Sequence, residues 1–484
     1  AHTSYTCFSR FRNELVQKTD RIFADSLSSA LIKALCLGHK ENLSPATREL
    51  FAETGTMHLL AVSGLHTGAV WLLLTYFLRF AGLSKKSSHL FLLPVLWGYA
   101  CLTGLSPSVV RAAYILTFIT LSHVFSRDYS ALNAIAASAL FALIVNPSAL
   151  YSVGMQMSYA AYSGIIGITP FLKKMAPFFP RLSGPICVTL AAQIATFPLS
   201  AYYFHTFSMN SFIVNLVAIP LTTLLLYSGI FTLFLPECAG HFLSYPIQFL
   251  SKGLTCSLNL FNRINLYADQ LYPTGIHILL LYCLIFFSCL YIRKRSRSCL
   301  TLILLPGVAL CCYSVLHYRF IREKKEIVIS HVHSRSCILL KQGDEGFLLK
   351  NTQHPALSKS LDFYVQRHRL QVTPAFNGLL YSTIYYDGRQ LCDQQDTLYI
   401  IDTPAPIPAG GIWIVTNNVF PHRFPFQSVS LPRLVILDAS NHSRCLRAWK
   451  EICQTHRVPL RTTGEEGDIH LLLKSKKREN KMQK

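Results

Sequence analysis

Charge is scarce along this chain. Asp, Glu, Lys and Arg make up 14% of its 484 residues, 51% are hydrophobic, and the mean hydropathy is +0.34. Soluble proteins carry about 25% charged residues, so a water-soluble fold is excluded for the chain as a whole. Acidic residues are the scarcer sign, 24 against 45 basic. None lies inside the apolar segments between residues 56 and 235, which excludes a proton relay or cation-coupled transporter built on an intramembrane carboxylate. The 15 cysteines include no CxxC pair, so no zinc or disulfide framework is expected. Cys101, Cys187, Cys283 and Cys289 lie in apolar segments, where cysteine packs as a small hydrophobe. A phosphate-cradling GxxxxGK(S/T) loop is missing, so any directed movement draws on another protein's nucleotide hydrolysis. No signal-peptide pattern follows Ala1, and the chain reads as a fragment lacking an upstream region.

What the chain does have is a succession of uncharged runs, at roughly 56–79, 89–103, 108–125, 131–149, 151–169, 185–204, 211–235, 243–262, 275–292 and 299–317. They predict a polytopic α-helical membrane protein of about ten spans. The second run is short enough to be re-entrant, and the eighth carries Lys252 and suits the interface. The net charge of +21 fits nucleic acid, anionic lipid or orienting loops alike. Basic loops at Arg79 with Lys85 and Lys86, at Lys173, Lys174 and Arg181, and at Arg293–Arg297 fall on one side of a ten-span topology, the cytoplasmic one. Both the N-terminal helices and the C-terminal domain are then extracytoplasmic. The expected divisions are an amphipathic helical segment at 1–54, the membrane domain at 55–318, a smaller soluble α/β domain at 319–473 and a basic tail at 474–484. The soluble assignment rests on short alternating β runs such as EIVISHV, CILLK, GFLLK and RLVILD, with one helix near Ser443–Thr455.

Polar residues inside the apolar runs mark the candidate site, because they are costly in a bilayer and face a bundle interior or a wet cavity. The first run places His58, Ser63 and His66 on one predicted helix, with the two histidines on one side. Gly64 and Gly68 form a GxxxG pair suited to helix packing. In the third run Ser106 is a natural N-cap, Pro107 takes the first helical position, and Arg111 sits one turn inward. A guanidinium beside a helix N-terminus suits a phosphate; snorkelling to lipid headgroups is the plainer reading. The fifth run carries Gln156, Ser158, Tyr159 and Ser163 and the sixth Gln193, Thr196 and Ser200, polar stripes that either line a hydrated path or bond helix to helix. Ser63 with His58 or His66 also suggests an intramembrane serine hydrolase, but no orienting acid accompanies them. A transporter of a small anionic solute or lipid is the other alternative.

Three blocks in order, HLLAVSGLH at 58–66, TGLSPSVVRAAY at 103–114 and the run from Asn146 to Pro170, resemble the ComEC competence-protein family of DNA uptake. The resemblance implies an inner-membrane channel of a bacterial cell that passes single-stranded DNA inward in contact with membrane lipid. It also implies DNA-receptor and cytoplasmic ATPase or helicase partners, and no cofactor. Members often carry an upstream DNA-binding region, and many end in a metallo-β-lactamase-like nuclease domain. The C-terminal domain resembles a degenerate version of it: ISHVHSRSCILLKQGDEGFLLK stands at the expected first hairpin, but the metal-binding HxHxDH motif is absent, so no enzymatic activity is expected. His331 and His333 read as ordinary strand residues, and Asp402, Asp438, His442 and His470 form no metal motif.

Overall fold

The computed structural model describes residues 2–473 apart from 125–129, 176–182, 209, 264–266, 269–270, 333–334, 352–358, 376–377, 382–383, 394–396, 404–409 and 424–430. Arg181, His333 and the tail from residue 474 therefore lie outside the described residues. The chain divides into two compact units, Ala1–Leu310 and Cys311–Lys484.

The first unit is helical. Its helices are α1 (His2–Ile22), α2 (Ser26–Leu37), α3 (Pro45–Glu53), α4 (Gly64–Phe80), α5 (Lys85–Leu102), α6 (Pro107–Val124), α7 (Ala131–Val145), α8 (Val153–Met175), α9 (Ser183–Phe204), α10 (Ser211–Phe234), α11 (Glu237–Asn262) and α12 (Gly275–Lys294). Helix α13 (Arg297–Glu323) runs on into the second unit. Two short strands, β1 (Phe207–Ser208) and β2 (Tyr267–Ala268), pair antiparallel. Each of the ten expected segments holds one helix, α4 to α13. Among the described residues, however, four helices are long and apolar enough to cross a membrane: Gly184–Phe204, Ser211–Phe234, Gly275–Lys294 and Arg297–Glu323. Four of the roughly ten expected spans thus meet the length and composition of a membrane crossing among the described residues, and the others do not meet it by that measure. Length is one reason: the 15 residues of α7 rise about 22 Å, short of a hydrocarbon core of about 30 Å. Polarity is the other, since α8 carries Gln156, Ser158, Tyr159, Tyr162 and Ser163, and α11 carries Gln248 besides Glu237 and Lys252.

Helix α2 ties the N-terminal segment to the helices of the first unit. Asp25 caps it by accepting from Ser28 N at 3.1 Å, and Gly38 closes it in the left-handed region at φ 69°. Ser28 through Leu37 are all buried, and Ile32 and Leu35 share one core with Ile22 of α1, Leu225 of α10 and Leu254 of α11. A side chain at Gly229 would lie 2.8 Å from both Cys36 Sγ and Ile32 Cδ1, so the glycine sets the α2–α10 approach. The buried Lys33 ammonium pairs with Asp20, which also accepts from Ser29 at 3.0 Å. Cations of α1 then cap two helix ends: Arg12 Nε donates to Leu37 O at 2.9 Å, and Lys18 Nζ to Leu233 O and Leu235 O at 2.9 and 2.6 Å. Positive charge belongs at a helix C-terminus, where carbonyls lack partners.

The second unit is a sandwich in four layers. One sheet has the order β14-β3-β4-β5-β6, built from β3 (Lys325–Val332), β4 (Arg335–Gln342), β5 (Glu345–Asn351), β6 (Gln371–Pro374) and β14 (Ile469–Leu472). The other, β13-β12-β11-β10-β9-β8-β7, comprises β7 (Gly378–Tyr381), β8 (Ile384–Tyr386), β9 (Gln390–Asp393), β10 (Thr397–Ile401), β11 (Ile412–Val415), β12 (Leu434–Leu437) and β13 (Leu460–Thr462). Strand alternation assigns the layers. Ile327, Ile329, Ile338 and Leu340 meet Ile400, Ile412, Ile414 and Ile436 between the sheets. The intervening Val328 and Leu339 face Leu361 and Tyr364 of α14 (Lys359–His368). Trp413, Val415 and Val435 face Cys445, Trp449 and Cys453 of α15 (Ser443–Thr455), whose Trp449 Nε1 donates to Val419 O at 2.8 Å. A one-turn helix, α16 (Thr463–Glu466), leads to β14. Burial of each large apolar side chain here stabilises the unit by about 1.5–3 kcal/mol, which accounts for the alternating runs legible in the strands.

Candidate functional site

The three polar blocks come together where α4, α6 and α8 begin. The first corrects the expected helix: residues 57–60 form a 3-10 turn, and α4 starts only at Gly64. Ser63 is its N-cap, accepting from His66 N at 3.4 Å, while His66 Nδ1 lies 3.4 Å from Ser63 N and 3.3 Å from Ser63 Oγ. This reciprocal cap satisfies donors that a helix start otherwise leaves open. The Ser–His pair is thus part of the helix cap, and among the described residues no carboxylate stands among the groups acting on His66. His58 stands on the 3-10 turn and His66 in α4, so the two do not share a helix, although His58 remains close enough for its charge to act on His66.

Glycine is required at 64 and not at 68. A Cβ at Gly64 would lie 2.7 Å from Tyr162 Oη and 3.5 Å from Ala112 Cβ, so α6 and α8 close directly over the start of α4. Nothing lies within 4 Å of the same point at Gly68, and the expected GxxxG packing pair reduces to its first member. The second block is tied to the first by Ser108 Oγ, which donates to Val62 O at 2.6 Å.

Arg111, in the second turn of α6, reaches the third block. Its Nε and Nη2 donate to Ser158 Oγ at 3.2 and 3.0 Å, and a Cβ at Gly154 would stand 3.2 Å from Nη2. Ser158 is thus an acceptor that orients the guanidinium, and Gly154 leaves the room it occupies. Tyr159 and Tyr162 are its other polar neighbours, and among the described residues no carboxylate pairs with it. A half-buried guanidinium held by one neutral oxygen keeps most of its five donors and its full charge for a ligand. Three helix starts directed at one place add positive potential.

The other predicted polar groups are satisfied between helices. Gln156 Nε2 donates to Leu150 O at 3.0 Å and its Oε1 accepts from Tyr203 Oη at 2.7 Å; Gln193 Nε2 donates to Ser211 Oγ at 2.6 Å. Tyr159 Oη lies 3.2 Å from Ser138 Oγ. Of the two readings of these stripes, Gln156 and Gln193 make the helix-to-helix bonds, joining α8 to α9 and α9 to α10. An apolar cavity between α4 and α5, lined by Val70, Trp71, Leu92 and Tyr99 among others, measures about 10 Å³, at the lower limit for one water. Sequence reasoning missed Gly154 and Tyr162, whose roles appear only when α8 meets α4 and α6.

Sequence comparison gives this junction a family. The family described as competence protein matches residues 35–312, more than half of the chain and all three blocks, and the one described as ComEC C-terminal domain matches residues 327–473. The chain belongs to the competence protein family. Among relatives, ComE operon protein 3 of Bacillus subtilis is 29% identical over 202 residues, 42% of this chain and 26% of that one. Recombination protein 2 of Haemophilus influenzae is 25% identical over 270 residues, 52% of this chain and 34% of that one. The matched region thus spans about a quarter to a third of these competence-family relatives. No solved structure matches the chain. Family membership and the apolar helices make it a membrane protein. In its ComEC C-terminal domain, among the described residues, no three His, Cys, Asp or Glu side chains gather as a metal-holding group. Asp438 Oδ1 instead accepts from Ser440 N at 3.1 Å and Asn441 Nδ2 at 3.0 Å, and His470 Nδ1 lies 2.9 Å from Glu326 Oε1.

Proposed function

We propose that this competence-family chain takes part in DNA uptake by passing single-stranded DNA across the bacterial cytoplasmic membrane, with Arg111 as a phosphate contact. The observation that carries the reading is the convergence of all three blocks on a half-buried arginine whose partner is the neutral Ser158. A permeating polyanion needs contacts that are cationic, few and weak enough to release it, and a neutral-partnered guanidinium meets that need.

The ComEC C-terminal domain serves as a docking or gating module without nuclease chemistry; the missing HxHxDH motif supports this. Direction comes from a cytoplasmic ATPase or helicase, and a DNA receptor delivers the strand. The N-terminal helices and the C-terminal domain are assigned to the extracytoplasmic side on the strength of the basic loops. The test is uptake of labelled DNA in a strain deleted for the gene. Internalised single strands are expected to disappear in the deletion and return with the wild-type chain; normal internalisation in the deletion strain contradicts the function.

A further inference from the structure

Arg12 resembles Arg111 in setting though not in sequence neighbourhood. It is half-buried on α1, donates through Nε to the backbone oxygen Leu37 O at 2.9 Å, and has no carboxylate partner among the described residues. Its Nη1 lies 3.1 Å from where a Cβ at Gly104 would stand, much as Arg111 Nη2 lies against Gly154. Gly104 is exposed at φ 76° and opens the α5–α6 loop, seven residues before Arg111. Three extended steps and four helical ones put the two Cα positions within about 16 Å. The same loop is held from below by Gly38, whose Cβ would meet Thr103 O at 3.1 Å, and by the Ser108–Val62 bond. Two guanidiniums, each oriented by one neutral acceptor and seated on a glycine, therefore stand at Gly104 of the α5–α6 loop and in the helix that follows it.

We propose that Arg12 is a second phosphate contact for the same strand, so that the α5–α6 loop is bracketed by two cationic subsites for a single-stranded nucleic acid backbone. This rests on the proposed function of Arg111. Ligand phosphate displaces no protein carboxylate at either arginine, and the cost of binding is mainly the release of counterions by the strand.

The test measures binding of a fluorescent single-stranded oligonucleotide by the full purified chain in nanodiscs, as a function of salt between about 50 and 200 mM. Each lost phosphate contact lowers the slope of log affinity against log salt by about 0.7 for a single strand. Arg12→Gln, whose amide still donates to Leu37 O, is expected to reduce the slope by that amount, Arg111→Gln likewise, and the double variant by about twice as much. Arg12→Lys keeps the charge and is expected to keep the wild-type slope. An unchanged slope in Arg12→Gln beside a reduced one in Arg111→Gln overturns the second subsite alone; unchanged slopes in both overturn the Arg111 reading as well. Equal losses in Arg12→Lys and Arg12→Gln assign the residue to helix capping only. If the effect of Arg12→Gln vanishes when anionic lipid is replaced by neutral lipid, the phosphate is a lipid headgroup and the proposal is overturned.

Discussion

Arg111→Ala is expected to cut uptake of labelled DNA about tenfold or more in a deletion strain complemented with the variant, at unchanged levels of chain in the membrane. The magnitude follows from the bond type: a hydrogen bond to a charged group contributes about 1.5–3 kcal/mol, and each 1.4 kcal/mol is about tenfold. Arg111→Lys is expected to fall between wild type and alanine. It keeps the charge but loses the paired Nε and Nη2 donation to Ser158, which a single ammonium cannot reproduce. Ser158→Ala leaves the charge and removes only the orienting acceptor, so its loss is smaller. If Arg111→Ala supports wild-type uptake, the junction is a packing feature. Membrane immunoblots separate a site effect from a folding failure, which would remove the protein altogether.

The second large effect is acid destabilisation of the second unit. Glu326 bonds two ways, its Oε2 accepting from Tyr364 Oη at 2.8 Å and its Oε1 lying 2.9 Å from His470 Nδ1. Burial raises its carboxyl, but the bonds from His470 and Tyr364, with the Lys341 charge, outweigh that and hold it down to about 2. Burial depresses His368, and the neighbouring Lys341 charge adds to it, bringing the imidazole to about 4. In both cases the unfolded chain takes up protons at a higher pH than the folded unit does. The neutral-His368 contribution is therefore complete above about pH 6.5 and is lost as pH falls toward 4. The Glu326 contribution is complete above about 4.5 and is lost as pH falls toward 2. Each amounts to something on the order of 3 kcal/mol at full loss. Lys341, fully buried and donating to Ile321 O at 2.8 Å, is lowered by burial to about 8. It stays charged through this acid range and takes no part in the loss. Thermal unfolding of the chain in detergent, followed by strand-region hydrogen exchange, is expected to show the second unit weakening from about pH 6.5 downward. Glu326→Gln should flatten the lower limb. A stability independent of pH between 7 and 3 contradicts the assignment of both groups.

Hydrophobicity located nearly every helix of the first unit but not where the helices begin. The run MHLLAVSGLH stays apolar straight through the Ser63 cap, so period and composition carry α4 back to residue 56 while the chain turns at 57–60. The cap is legible as Ser63 with a hydrogen-bonding residue three positions on, where His66 stands in place of the usual glutamate or glutamine. The apolar helix α2 is buried by its neighbours, whereas α7 leaves Leu132, Leu140, Ile144 and Val145 exposed, and composition does not distinguish the two environments. In the second unit, EIVISHV, CILLK, RLVILD and the helix at Ser443 stand as read, whereas β6 to β9 are three or four residues each, too short for alternation to register. Within the site, Arg111 was recognisable as a cation at a helix start. Ser158 is legible as a polar residue of the fifth run, but its pairing with Arg111 and the role of Gly154 are not, because α8 meets α6 only through tertiary packing, and no local signal marks a glycine for a distant guanidinium.

The account turns on whether nucleic acid passes the junction of α4, α6 and α8. The direct measurement is photo-crosslinking during uptake, with Tyr162→benzoylphenylalanine, beside Gly64 and Arg111, compared with Phe234→benzoylphenylalanine at the exposed end of α10. Labelled DNA is expected to attach at position 162 and not at 234. Attachment at neither position while uptake proceeds, or equally at both, contradicts a strand path through the Arg111 site.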